Sequence, residues 1–430
     1  MQISSISLAG FIAGCAINPV SGKSQFMLLS ESSEIQIDKQ NAFHQFSSDY
    51  GISQDTDLNN YINQTGKQIA VLTHRSNMPF SFRCVNAVYV NAYAFPGGTI
   101  AATRGILLKL ENEAQLASLL GHELGHVNAR HTAQIMSKSF LANAFLGGIT
   151  AYVGAKNTTY SRLASQIGMI GTGALLASYS RSNEREADSL GLQYMVKAGY
   201  NPKGFEELMS MLNKMSKNNS NAFELLFATH PMSHERYNDA TKTIQTRYVY
   251  ANNYPLYRER YMDHTARLRA IKDAITKMQT GEKEMANKKY SAAQNNFQNA
   301  LKQTPNDYAG LVMMSKCFII QKKYGEAILY AKKAQQVYPE EAQANHLIGY
   351  ISIKQKKFEN AFAAFAAYDR MLPGNPNTIF FKGYSLDRMQ HIDEAAGEYM
   401  RYLKIVKQGD QAKYAYQRLV KWKYINPDVQ

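Results

Sequence analysis

The chain has 430 residues, more than one ordinary core accommodates, so two or three domains are expected. Hydrophobic residues make up 45% of it, as in globular proteins. The net charge of +14 is uneven: residues 1–250 hold 20 Lys/Arg against 17 Asp/Glu, and residues 251–430 hold 28 against 17. The basic second half suits an anionic surface or an acidic partner. No nucleic-acid motif accompanies the charge, so nucleic acid is not expected as a partner.

The opening "MQISSISLAGFIAGCAINPV" carries a short apolar run that ends in Ile12-Ala13-Gly14-Cys15. Small residues leading into a cysteine resemble a bacterial lipoprotein signal over residues 1–15, with Cys15 as the lipidated residue. The resemblance implies a periplasmic protein anchored to the outer membrane by lipid, with Ala16 permitting that sorting. The basic start of such a signal is missing, and a signal without lipid or a poorly ordered N-terminus is the alternative. Cys84 and Cys317 fall in different expected domains, so no disulfide joins them. Residues 16–50 read as a polar, irregular tether. A helix is expected from about Asp55 to His74. The aromatic and β-branched stretch "FSFRCVNAVYVNAYAFPGGTIAATRG" then suggests a meander of two or three strands, turning at Gly97-Gly98.

Asn112 and Gln115 read as a capping box opening a buried helix that runs to about Lys138. That helix contains "GHELGHVNARH". His122 and His126 are four apart and share one helical face, where two neutral imidazoles can hold one divalent ion. Glu123 stands beside them and can take a proton from the attacking water and pass it to the leaving amine. A catalytic metal site also needs a third protein ligand and an open position. Residues 140–178 are apolar and rich in Gly and Ala, but too short and interrupted to read as membrane spans. A hairpin or lid near the site, an amphipathic surface segment and plain helical packing all remain open for them.

"SNEREADSLG" supplies Glu184 and Asp188 on one face of a second helix, capped by Asn183 with Glu186 and ending near Gly199. Alone they would be solvated anions near a helix N-terminus. Beside the first motif, Glu184 reads as the third ligand and Asp188 as the acceptor that orients a ligand imidazole. Glu186 lies off that face and reads as surface. Pro202 opens a helix over 202–217, and a further helix follows "THPMSHERY". His230 can occupy the open metal position at rest, donate to the developing oxyanion, or be an ordinary hydrogen-bonded histidine. Arg236 can clamp acidic groups or carbonyls.

The last third repeats every 34 residues. Pro305, Pro339 and Pro373 share that interval, as do Ala293, Ala327, Ala361 and Ala395, and Gly281, Ser315, Gly349 and Gly383. This is the period of tetratricopeptide repeats, with small residues where paired helices meet. Three full units are expected over about 308–409, a partial or diverged one at 274–307, and a capping helix after Asp410. Stacked repeats form a concave surface suited to peptides or partner proteins.

The two site motifs together resemble the zinc metallopeptidase family that includes HtpX, BepA and the CAAX prenyl endopeptidase. His122, Glu123 and His126, followed by Glu184 and Asp188, carry the likeness. Asn91, Pro96, Gly97, Gly98 and Arg104 match the family's strand-turn habits, and the His230-Pro231…Arg236 segment resembles one near its active site. His131 matches a later family histidine, orienting or structural rather than a ligand. The likeness covers about residues 20–250, and the repeats make it greatest to periplasmic BepA-like members. It implies an α+β, mostly helical chain: a zincin-type metallopeptidase domain with a small β-sheet over 51–265, then an α-solenoid over 266–430. It implies Zn²⁺ held by His122, His126 and Glu184, with Glu123 and His230 in catalysis and Asp188, His131 and Arg236 around them. Substrates would be misfolded or stalled outer-membrane proteins, paired as extended strands with the exposed sheet edge. The repeats would recruit them or dock on the outer-membrane assembly machinery. The alternative is a chaperone-like repeat scaffold whose protease site is normally closed.

Overall fold

Residues 16–50, expected as an irregular tether and opening segment, carry regular structure. The computed structural model describes residues 15–145, 178–216 and 224–426. An antiparallel hairpin of β1 (Cys15–Ile17) and β2 (Ser24–Phe26) leads into α1 (Glu31–Ser48), capped by the Ser30 hydroxyl. The charges that make this stretch look like a polar tether are turned inward. Glu34 is buried between Arg75 at 2.6 Å and Arg130 at 2.9 Å. Asp38 accepts the Thr99 N–H, and Asp49 accepts the hydroxyls of Tyr89 and Tyr93. Hydrophobic patterning is blind to a helix that docks through paired carboxylates.

α2 (Thr56–Ala70) starts at Asp55, whose side chain accepts the Leu58 N–H. It packs on a sheet of β3 (Ser81–Val85), β4 (Ala92–Ala94) and β5 (Thr99–Thr103). The strand order is β3-β5-β4; β5 runs parallel to β3 and antiparallel to β4. The sheet is therefore mixed, not a meander. After β3 the chain crosses over through residues 86–91 instead of turning back, and Thr103 Oγ1 fixes that crossover by donating to Tyr89 and Asn91 carbonyls. Gly98 takes φ +105° in the β4–β5 turn, as the glycine pair anticipates.

After α3 (Arg104–Leu107), α4 (Glu113–Asn128) begins at Asn112, which accepts the Gln115 N–H. The Gln115 side chain answers to Glu111 N–H rather than to the cap itself. The expected single helix to Lys138 is two: Arg130 adopts φ +58°, and α5 (His131–Phe145) leaves in a new direction. The guanidinium of Arg130 holds this break by donating to Glu34 and to the Leu29 carbonyl. The apolar stretch at 140–178 lies largely outside the described residues, which resume at 178. Among the described residues no helix is long and apolar enough to cross a membrane.

α6 (Arg181–Lys197) has its capping box three residues earlier than expected, between Ser180 and Asn183. Gly199 follows it at φ +85°. α7 (Lys203–Ser216), α8 (Glu224–Thr229) and α9 (His234–Arg247) complete this half. The short helices α10 (Arg258–His264) and α11 (Ala266–Ala270) lead into the repeats. These are helix pairs: α12 (Lys272–Ala286) with α13 (Tyr290–Gln303), α14 (Tyr308–Ile320) with α15 (Tyr324–Val337), α16 (Gln343–Lys354) with α17 (Phe358–Met371), and α18 (Pro376–Arg388) with α19 (Ile392–Ile405). α20 (Asp410–Lys421) closes the stack. The unit at 274–307, expected to be partial or diverged, is a full helical hairpin. Each 34-residue small position receives the partner helix: a Cβ at Gly281, Gly349 or Gly383 would come within 2.4, 2.7 and 3.0 Å of Phe297, Phe365 and Tyr399. At the second unit Ser315 donates to the Ala327 carbonyl instead.

The repeats are packed onto the first half, not strung from it. Arg104 forks onto Asp307 at 2.6 and 3.3 Å, Tyr50 donates to Glu282, and Gln343 donates to the Ser47 carbonyl. One apolar core runs continuously from Ala42 to Ala364, with a second around α18–α20.

What positions the site is the crossing of α4 and α6. A Cβ at Gly125 would stand 2.8 Å from the Ala187 carbonyl oxygen, one at Gly121 2.9 Å from that of Gly191, and one at Gly191 2.7 Å from the His122 nitrogen. The two backbones touch. Gly191→Ala should therefore overpack the crossing at a cost of about 1–3 kcal/mol and lower Tm in a thermal melt. Gly325→Ala, where a Cβ meets nothing within 4 Å, should leave Tm unchanged or raise it.

Candidate metal centre

One turn of α4 separates His122 from His126, so both rings project from the same face, with their Nε2 atoms 3.1 Å apart. Glu184 enters from the first turn of α6. Its Oε1 lies 3.3 Å from His126 Nε2 and its Oε2 3.6 Å from His122 Nε2. His230, just after α8, brings Nδ1 to 3.4 Å from His122 Nε2 and 3.1 Å from Glu184 Oε1. All four side chains are buried, and their donor atoms lie within 4.8 Å of one another.

Donors about 2.0–2.1 Å from a tetrahedral ion are roughly 3.3 Å from each other. Five of the six pairs stand 3.1–3.6 Å apart, counting both oxygens of Glu184, close to the spacing of such a set. The outer ring nitrogens say the same. His122 Nδ1 is 2.9 Å from Asp188 Oδ1, and a carboxylate only accepts, so in the neutral imidazole Nδ1 carries the proton and Nε2 is bare. His126 Nδ1 faces His131 Nδ1 at 3.0 Å, and His131 Nε2 faces Glu186 Oε2 at 3.2 Å. The Glu186 carboxylate fixes the His131 proton on Nε2, so His131 Nδ1 accepts from His126 Nδ1–H. His126 Nε2 is then bare as well. Two lone pairs meeting at 3.1 Å repel unless a cation lies between them. The oxygens Glu184 Oε2 and Glu123 Oε2 are buried without a hydrogen bond. Arg236 Nη1 does stand 2.6 Å from Glu184 Oε2, an ion pair without hydrogen-bond alignment. The residues fit a divalent ion.

Charge around the cluster is balanced by Arg236. Its Nε and Nη2 fork onto Asp188, both at 2.7 Å, and its Nη1 donates to the Pro231 carbonyl at 3.0 Å. It thus ties α9 and the segment after His230 to α6. Burial opposes ionising Glu184, but His230, His126 and His122 outweigh it and hold the carboxyl well below its ordinary range. Burial likewise works against Asp188, and Arg236 overrides it. Burial drives His126 far toward the neutral imidazole that a metal ligand must be. Burial raises the Glu123 carboxyl, only partly countered by His230 and His122. On His230, burial is outweighed by Glu184 and Glu123, which favour its cation.

Two residues at the centre escape sequence reasoning. Glu186 reads as surface, yet its half-exposed carboxylate meets His131. The contact exists because the backbone break at Arg130 swings His131 back against His126, five residues earlier. Tyr179 stacks on the His126 ring with centroids 3.7 Å apart, and its hydroxyl bonds Thr132. Its N–H donates to the Thr229 carbonyl, next to His230. Among 28 tyrosines only its place immediately before the Ser180 cap could have marked it. Arg104 is away from the cluster, bound to the Asn86 carbonyl and Asp307. Asn91 is buried in front of β4 with both ends of its amide unpartnered. His234 hydrogen-bonds Asn213 at the exposed start of α9.

The comparisons with known proteins agree with this geometry. The family described as "Peptidase family M48" matches residues 56–244, which hold every residue of the cluster. The chain is 28% identical over 349 residues to the beta-barrel assembly-enhancing protease of Yersinia pestis, across 74% of this chain and 70% of that protein. It is 30% identical over 186 residues to the protein of the same name from Escherichia coli K12, across 43% of this chain but only 38% of that one. Metalloprotease YcaL of Escherichia coli K12 is 32% identical over 158 residues, 37% of this chain and 59% of that protein. Residues 56–244 match peptidase family M48, and with the named metalloprotease relatives this match supports a metalloendopeptidase.

Proposed function

We propose that this chain is a zinc-dependent endopeptidase of the cell envelope that cuts misfolded or stalled outer-membrane proteins, and that His230 closes its site at rest. The observation carrying this is the four-donor cluster with Glu123 beside it, the Glu123 Oε1 lying 3.8 Å from His230 Nε2. Imidazoles with one carboxylate are a usual zinc set. Zinc bound by His122, His126 and Glu184 supplies Lewis acidity for the scissile carbonyl and for water.

The protein's own residues do the rest. Glu123 takes the proton of the attacking water and delivers it to the leaving amine, and a carboxyl raised by burial suits a group that must hold a proton in transit. Asp188, and His131 backed by Glu186, keep the ligand lone pairs aimed inward. With an ion held by the other three residues, His230 would stand as a fourth donor, and a substrate carbonyl would enter only as His230 withdraws. Once displaced it remains beside the reacting centre as a donor to the oxyanion. Of the two sheet edges, β4 is covered, with Ala92, Tyr93 and Ala94 at 1%, 3% and 8% exposed, while Ser81 and Arg83 of β3 are partly exposed. An extended substrate pairing with β4 needs the same opening.

The substrate class rests on the name shared by the Yersinia and Escherichia relatives, and the envelope location on the Cys15 segment. The repeats recruit substrate or dock on the outer-membrane assembly machinery. A second reading, a chaperone-like scaffold for outer-membrane protein assembly, is favoured by His230 standing against Glu123, Glu184 and His122 and by the burial of β4.

Three outcomes are expected. With an unfolded outer-membrane β-barrel protein as substrate, Glu123→Gln should lower the cleavage rate about 10²–10⁴-fold while leaving protection from aggregation unchanged. His230→Ala should speed the binding of a metal-chelating hydroxamate inhibitor while lowering turnover through loss of the oxyanion donor; unchanged or slower inhibitor binding would contradict closure. His131→Ala should weaken zinc about 10–100-fold in chelator competition, with Glu186→Gln weakening it less.

A further inference from the structure

The turn inside each repeat pair is where the local rules of stability are broken in series. Lys288, Lys322 and Lys356 sit at the same 34-residue position, just past the first helix of three successive pairs, with φ of 61°, 60° and 59°. Glycine takes that backbone freely; a side chain with a Cβ is strained in it. The next residues, Lys289, Lys323 and Lys357, are the N-caps of the second helices, and none makes a side-chain capping bond. An N-cap is satisfied by Ser, Thr, Asp or Asn, which lysine cannot imitate because it only donates. The dipole of the preceding helix favours a cation at the first residue of each pair, and that of the following helix disfavours one at the second. Helix electrostatics therefore does not account for the doublet. In the fourth pair the same turn holds Gln390, at φ 66°, and His391, which pairs with Glu394.

All six lysines are exposed. Among the described residues only Lys289 has an ion pair, to Glu284 at 3.7 Å. Lys323 also lies 6.0 Å from the Phe318 ring centroid. The first helices α12, α14 and α16 neighbour one another in the stack, so their ends lie in a row and the three doublets form one ridge. These turns contribute a large part of the basic excess of residues 251–430. The residue type matters too. Lysine is a compact, mobile point charge that imposes no fixed pairing geometry, and a row of such charges is attracted to an anionic surface without docking on one defined group. Groups that oppose local folding at three equivalent places and have little use inside the chain are explained by something outside it.

We propose that the Lys288–Lys289, Lys322–Lys323 and Lys356–Lys357 ridge docks the repeat stack onto an anionic phospholipid surface. This is independent of the lipid reading of Cys15 and of the peptidase chemistry. The ridge sets how the solenoid lies on the bilayer, through lysine attraction to lipid phosphates.

The test uses the full chain carrying Cys15→Ser, so that no acyl chain anchors it. It is spun down with vesicles of phosphatidylcholine alone or with about 30 mol% phosphatidylglycerol. Binding to the anionic vesicles only, weakening as salt rises, is expected. Replacing all six ridge lysines by Gln should weaken it about tenfold or more. Replacing six exposed lysines elsewhere (Lys39, Lys67, Lys197, Lys203, Lys407 and Lys413) by Gln removes the same charge and should weaken it far less. Equal loss in the two variants, or no binding by the parent, overturns the proposal. So does release by poly-glutamate at concentrations where inorganic phosphate does nothing, which would make the partner an acidic polypeptide. Lys288→Gly, Lys322→Gly and Lys356→Gly together should raise Tm yet weaken vesicle binding; a lower Tm overturns the claim that local stability opposes these lysines.

Discussion

The contact on which the site depends is glycine against backbone where α4 crosses α6. Gly121, Gly125 and Gly191 remove the side chains that would hold the helices apart. Only then can a carboxylate on the first turn of α6 reach the two imidazoles of α4. A crossing one side chain wider would leave Glu184 pointing at His122 and His126 without reaching them. The remaining parts act on rings already in place. Asp188 fixes one ligand tautomer, His131 with Glu186 fixes the other, and Tyr179 stacks against the second ring.

Buried charge is the second theme, and it is handled by arginine. Arg236 serves Asp188 and Glu184, while Arg75 and Arg130 serve Glu34. Losing one partner of such a buried set leaves an uncompensated charge, a loss of about 3–5 kcal/mol. The two sets have different consequences. The Glu34 set fastens α1 and the α4–α5 break, and thereby positions His131. The Arg236 set connects the ligand helix to the segment that carries His230, so the fourth donor is tied to the third.

Much of the centre is legible in the sequence because it is written in helical spacing. His122 with His126, and Glu184 with Asp188, are i,i+4 pairs, and this interval survives any error in helix ends. The repeats are legible for a similar reason: three series of small residues and prolines keep one 34-residue register. What escapes is fixed by tertiary contact. α1 looks like a tether because its inward face carries Glu34, Asp38 and Asp49, whose partners are far away in sequence. The mixed sheet order depends on a crossover that Thr103 pins from β5. The stop after Asn128 is set by the left-handed backbone of Arg130, a residue type with no preference for that conformation. Glu186 follows from that stop, since it is His131 that comes to Glu186. The burial of β4 is a property of the assembled chain that strand periodicity does not carry.

The central claim is that three segments of chain place three imidazoles and one carboxylate around a single divalent ion. X-ray absorption at the zinc edge of the purified full chain tests it most directly. The account predicts one equivalent of zinc in a four-coordinate shell, with light-atom donors at about 2.0–2.1 Å and scattering from three imidazoles. In His230→Ala the imidazole count should fall to two with the zinc retained. Substoichiometric zinc, a sulfur donor, or a spectrum indifferent to His230 would contradict it.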